Sequence, residues 1–248
     1  MTDQKPTIVL VHGAFAESAS WNGVISHLHE HDVTAIAIAN PLRSLAGDAS
    51  YVRDVIASVE GPVVLVGHSY AGMIITEAAA RNPKVVGLVY VNAFVPETGD
   101  SALTLSASAP GSTLGDTLAA YPVATGGNEF AIRPDLFHDQ FAADVPETQT
   151  ALMAATQRPV TQAALSDSLT TDRPAWKDIP SWHVFSDLDR NIPVAVLRAG
   201  AERASSRGTT EIAGASHATP VSQPGAITAA IAEAGKAYIA ARNATVNV

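Results

Sequence analysis

The chain has 248 residues, 47% of them apolar, enough for one α/β domain with an inserted segment and a sizeable core. Its formal net charge of −9 gives none of the basic footprint of a nucleic-acid or anionic-membrane surface, and the absence of cysteine excludes disulfides, thiolate chemistry and Cys-type metal sites. No apolar run approaches the roughly 20 residues of a membrane span, and the polar N-terminus leads straight into a strand without the layout of a signal peptide, so a cytoplasmic protein is expected.

Residues 7–11 are apolar and β-branched without alternation, as in a central parallel strand covered on both faces, and His12-Gly13-Ala14-Phe15 follow. Ser18 or Ser20 is placed to cap a helix carrying Trp21, Val24, Ile25 and Leu28 on one face, after which residues 33–39 make the next strand. Asn40-Pro41 break that strand, and Asp48 is the expected cap of a helix over residues 51–59. Gly61-Pro62 introduce a third strand from Val63, a helix over residues 73–80 follows, and residues 85–91 form another buried strand. Strands alternating with helices imply a mainly parallel central sheet with right-handed crossovers.

The pattern changes near Pro96. From there to about Asp178 no strong β run stands out, only helical pieces over residues 134–142, 147–156 and 160–168, interrupted by Pro110-Gly111, Gly126-Gly127, Pro146 and Pro159. The expected organisation is a core of residues 1–95 and 179–248 with a helical cap inserted over 96–178. The sheet pattern resumes at residues 181–185, followed by a helix over 195–204, a strand over 209–213 and a closing helix over 225–241.

The chemistry concentrates where the third strand ends, in Val63-Val64-Leu65-Val66-Gly67-His68-Ser69-Tyr70-Ala71-Gly72. This is strand, sharp turn, helix, with small residues (Gly67, Ala71 and Gly72) where a tight turn crowds the backbone; Ala71 stands where the G-x-S-x-G form has its second glycine. Ser69 is expected at the apex with its hydroxyl exposed, facing a helix N-terminus that favours developing negative charge. A serine hydroxyl needs a base, and the base needs an orienting group. Asp187 and Asp189 leave one downstream strand and His217 leaves the last, giving the order Ser, Asp, His expected of a nucleophile elbow. Asp189 is the chosen acid because the Asp-Arg-x-Ile-Pro run begins there; Asp187 is the alternative. An oxyanion would need two N–H donors, assigned to the amides of Tyr70 and Ala14, with Phe15 as the alternative to Ala14 and Gly13 allowing close backbone approach.

Together, VHGAF, VGHSYAG, SDLDRNIP and GASH resemble the α/β-hydrolase superfamily, within it the small esterases related to plant methyl esterases and (S)-hydroxynitrile lyases. The resemblance covers about residues 5–96 and 178–245. It implies an α/β-hydrolase fold, nucleophile Ser69, acid Asp189, base His217, oxyanion donors Ala14 and Tyr70, and serine carboxylesterase activity without a cofactor. The hydroxynitrile lyases of this group carry a lysine directly after the catalytic histidine, where this chain has Ala218. Dehalogenase and epoxide-hydrolase relatives have aspartate at the position of Ser69.

Phe15, Tyr121, Met153 and Trp176, with Phe137 and Phe141, are the residues expected to wall the substrate pocket. His27 and His31 share a helix face without a partner cluster, so no metal is expected, and no Gly-rich phosphate motif suggests a nucleotide. The expected partner is a small-molecule ester, with no nucleic acid or membrane; an exposed apolar cap or edge strand would support a homodimer. Lactonase or hydroxynitrile-lyase-like activity, or a non-catalytic ligand-binding role on the same scaffold, are the alternatives.

Overall fold

The structure is a computed structural model and describes residues 5–246. Its chain order is β1 (Thr7–Val11), α1 (Asn22–Glu30), β2 (Ala35–Ile38), α2 (Leu45–Ser58), β3 (Val63–His68), α3 (Ala71–Ala78) and β4 (Val85–Val91). There follow α4 (Ala102–Ser106), β5 (Leu118–Pro122), β6 (Asn128–Ile132), α5 (Pro134–Phe141), α6 (Glu147–Thr156), β7 (Val160–Thr161) and α7 (Gln162–Ser166). The chain closes with β8 (Ser181–Ser186), α8 (Val194–Arg203), β9 (Gly208–Ile212), α9 (Thr219–Ser222) and α10 (Pro224–Val246).

Six strands form a parallel sheet in the order β2-β1-β3-β4-β8-β9. The near-continuous apolar runs reflect burial on both faces. Alternate residues of the inner strands β1 and β3 enter opposite cores: Val9, Val11 and Leu65 pack with Val52 and Ile56 of α2 and Ile74 and Ile75 of α3. Ile8, Leu10, Val64 and Val66 pack with Trp21, Val24 and Leu28 near α1 and Ile227 and Ile231 of α10. No described helix is long and apolar enough to cross a membrane.

After β2 the chain crosses back over β1 to form β3, so the strand order reverses there and opens a crevice at the carboxyl ends of β1 and β3. Val11 is in register with Gly67, which sets residues 12–15 beside the turn at Ser69.

Between β4 and β8, neighbours in the sheet, the chain makes its excursion. Helices α5 and α6 lie where the sequence places them, but the expectation of no strong β run in this segment fails. Strands β5, β6 and β7 form a three-stranded antiparallel sheet. Its hairpin turns at Gly126 and Gly127, whose φ values of 94° and 76° belong to the left-handed region that glycine accepts. The flanking Leu-Ala-Ala-Tyr-Pro lacks β-branched residues, and only pairing with β6 makes it a strand.

Two expected caps also move. The hydroxyl of Ser44, not the Asp48 carboxyl, accepts from the Gly47 amide at the start of α2. Asp48, fully buried, turns inward and accepts from the Arg43 amide and the Tyr70 hydroxyl. Neither Ser18 nor Ser20 caps α1: both lie in a 3₁₀ turn over Ser18–Trp21, and Trp21 occupies the cap position of α1.

Candidate active site

Ser69 stands between β3 and α3 with φ of 59°, a conformation that costs a residue with a Cβ roughly 1–3 kcal/mol and survives only where the surroundings enforce it. Those surroundings explain the small residues. A Cβ on Gly72 would lie 2.1 Å from the Phe94 carbonyl oxygen, and one on Gly67 would lie 2.8 Å from that of Ala71. Ala71 itself is accommodated, which is why the departure from G-x-S-x-G is harmless. The loop after β1 closes on the turn from the other side, where a Cβ on Gly13 would meet the His68 carbonyl oxygen and the Ser69 Cβ, each at 2.6 Å.

The serine is not exposed as its apex position suggested. Beneath the inserted segment it retains 8% exposure and lines a cavity of about 150 Å³ with Ala14, Phe15, Tyr70, Phe94 and Ile192. No charged side chain lines that cavity.

His217 is buried, and its Nδ1 donates to Asp189 Oδ2 at 2.6 Å. Of the two aspartates, Asp189 is therefore the histidine's partner. Asp187 instead accepts from the Gly214 amide at 2.7 Å and holds the turn after β9. The Asp189 carboxyl is saturated: Oδ1 accepts from the amides of Asn191 and Ile192, at 2.7 and 2.9 Å, and Oδ2 accepts a second bond from Asn92 Nδ2 at 2.8 Å. The amides two and three residues on are a local signal, present in the Asp-Arg-Asn-Ile order. Asn92 carries no such signal. It sits just past β4 with φ of 41°, accepts from the Thr219 hydroxyl and donates to Ser186 as well as to Asp189.

With Nδ1 committed, His217 Nε2 is left buried and without a hydrogen-bond partner among the described residues. An imidazole so held can accept a proton only at that nitrogen. His68, adjacent to the serine, holds the same histidine: its Nε2 donates to the His217 carbonyl at 3.0 Å, and the two rings lie 4.6 Å apart. Burial, then the neighbouring His217, push the His68 pKa well below the usual imidazole value, so its ring is a neutral spacer. Phe141 adds an edge-on contact to His217 and stacks on Phe137, which places Phe141 of the inserted segment against the histidine.

The amides of Ala14 and Tyr70 have no hydrogen-bond acceptor among the described residues. The Phe15 amide is spoken for, donating to the Arg158 carbonyl at 3.1 Å, so of the two it is Ala14 whose amide is free. His12 anchors the loop: its Nε2 accepts from the Asn40 amide while its Nδ1 donates to the Gly13 carbonyl. Burial lowers its pKa to about 4, so the ring is neutral in this role.

The remaining pocket residues scatter. Phe15 lines the serine cavity, and Met153 lines an adjoining cleft. Tyr121 is 43% exposed on the outer cap hairpin, and Trp176 donates to the Pro96 carbonyl at the root of the insertion. Neither reaches the serine cavity. Among the described residues no group of three His, Cys, Asp or Glu side chains gathers to hold a metal.

The sequence from residue 8 to residue 231 matches the profile described as Alpha/beta hydrolase family. The chain belongs to that family. A carbendazim hydrolyzing esterase of Nocardioides sp. is 51% identical over 61 residues, 23% of this chain and 25% of that protein. A pyrethroid hydrolase of Sphingobium wenxiniae is 31% identical over 104 residues, 37% of each. Matches to the curated relatives span 25% to 46% of those proteins' lengths. Polyneuridine aldehyde esterase shares the fold, with a TM-score of 0.78 at 19% identity over 93% of this chain and 99% of that one.

Proposed function

We propose that this α/β hydrolase is a serine carboxylesterase working through an acyl-enzyme on Ser69, with His217 as base, Asp189 as its orienting acid and the Ala14 and Tyr70 amides as oxyanion hole. The observation that carries this reading is the His217 ring, tied through Nδ1 to a saturated carboxyl and free at Nε2 beside the turn that presents Ser69.

Ser69 Oγ attacks the ester carbonyl carbon while its proton passes to His217 Nε2. The oxyanion forms between two amides that have no other acceptor, each such donor worth about 3 kcal/mol of barrier. Collapse of the intermediate breaks the bond to the alcohol oxygen, which takes the proton from His217. Water then repeats the sequence, and the carboxylic acid leaves. The same steps open a lactone, an internal ester. A lyase handling a cyanide anion has less support, because the position after His217 is Ala218, an apolar residue 1% exposed. The esterase and hydrolase relatives point the same way.

The test is stopped-flow hydrolysis of p-nitrophenyl butyrate by the chain and by Ser69→Ala. A nitrophenolate burst and a rate lowered at least about 1000-fold in the variant are expected. A well-folded variant that keeps the parent's rate would remove Ser69 from the mechanism.

A further inference from the structure

Two spaces meet at Phe15. One is the 150 Å³ cavity at Ser69. The other is a cleft of about 480 Å³ between residues 15–23 and helix α6, walled by Leu152, Met153, Ala19 and Val221. Phe15 is the one residue that lines both. It is 3% exposed and holds φ of 61°, uncommon for a bulky side chain. Reciprocal backbone bonds hold it there, from the Phe15 amide to the Arg158 carbonyl and from the Arg158 amide to the Ala16 carbonyl.

We propose that Phe15 divides the substrate site into an acyl compartment at Ser69 and an alcohol compartment against α6, so that the protein takes neutral esters with a compact acyl group and a bulky apolar alcohol. This rests on the esterase reading. A mainly apolar cavity of about 150 Å³ has room for a group the size of benzene, which sets the acyl limit near six carbons. The alcohol side follows from the histidine. The departing oxygen takes its proton from His217, and Val221, four residues further along the chain on α9, lines the larger cleft. Leu152 stands there 69% exposed, a large apolar side chain with area left to bury. The cleft's charged wall residue is Glu17, which disfavours an anionic alcohol.

The test compares kcat/KM along two ester series: methyl esters of acetic, hexanoic and dodecanoic acids, and acetates of methanol, benzyl alcohol and 4-phenylbenzyl alcohol. Rates should fall at least tenfold from hexanoate to dodecanoate and rise along the acetates. Phe15→Ala should join the two spaces and raise the dodecanoate-to-acetate ratio at least tenfold. Leu152→Lys, on an exposed helix face, should lower the ratio of 4-phenylbenzyl to methyl acetate without touching the Phe15 loop. If the variants leave these ratios unchanged, or the longer acyl chains are preferred, the partition is wrong although Ser69 still reacts with a fluorophosphonate. Absence of that reaction would overturn the esterase reading and the partition with it.

Discussion

Asn92 shows how much of the site depends on single side chains outside the Ser, His and Asp positions. Its amide nitrogen shares Asp189 Oδ2 with His217, so removing it leaves that oxygen held by the imidazole alone. A hydrogen bond to a charged group is worth about 1.5–3 kcal/mol, and Asn92→Ala should lower kcat roughly ten- to a hundredfold while KM moves little. Steady-state kinetics with that split marks a positioning role; a parallel rise in KM would mark a general loss of the pocket. Strain at Ser69 gives a second expectation at this scale. Ser69→Gly and Ser69→Ala both lack the hydroxyl, yet only glycine adopts φ of 59° freely. The glycine variant should melt about 2–4 °C above the alanine variant, a difference of about 1 kcal/mol for a chain of this size. Equal melting temperatures would mean that the turn is unstrained.

Elements differ in how openly the sequence declares them. Strands β1, β3 and β4 are legible as near-continuous apolar runs because each is buried on both faces. The glycine-flanked Ser69 is legible because crowding at the turn dictates small residues, and Asp189 because it gathers the Asn191 and Ile192 amides locally. The cap sheet is not legible: β5 is alanine-rich, and Gly126-Gly127, which turn the hairpin, look in sequence like an interruption of helices. Asn92, His12 and His68 acquire their roles only when the sheet order brings distant segments together. The tie between the inserted segment and the loop at His217 is of this kind. Ser216, beside His217, donates to Asp144 in the loop after α5 and accepts from the Ala218 amide. Ser216→Ala leaves that carboxyl without its donor and should cost about 1–3 kcal/mol, read as a lower urea midpoint, together with a reduced kcat. A variant matching the parent in both would show that the tie carries no weight.

At the scale of the molecule, buried neutral histidines set the acid limit. Burial lowers the His12 pKa to about 4 and the His183 pKa to about 3, and His68 moves in the same direction. An unfolded chain binds protons at these rings from about pH 6.5 downward, whereas the folded chain does not. Their contribution is therefore complete above pH 6.5 and is lost as the pH falls toward 4, at up to about 1.4 kcal/mol per pH unit for each ring. Urea midpoints should drop steadily from pH 7 to pH 5, and a flat profile would place charged or solvated histidines where the structure has buried ones.

The proposed function rests on Ser69 as the nucleophile. Treatment of the whole chain with a fluorophosphonate, followed by intact-mass and peptide mass spectrometry, tests that claim most directly. The account predicts a single adduct on Ser69, absent in Ser69→Ala and much slower in His217→Ala. An adduct on another residue, or none under conditions where the protein is folded, would contradict it.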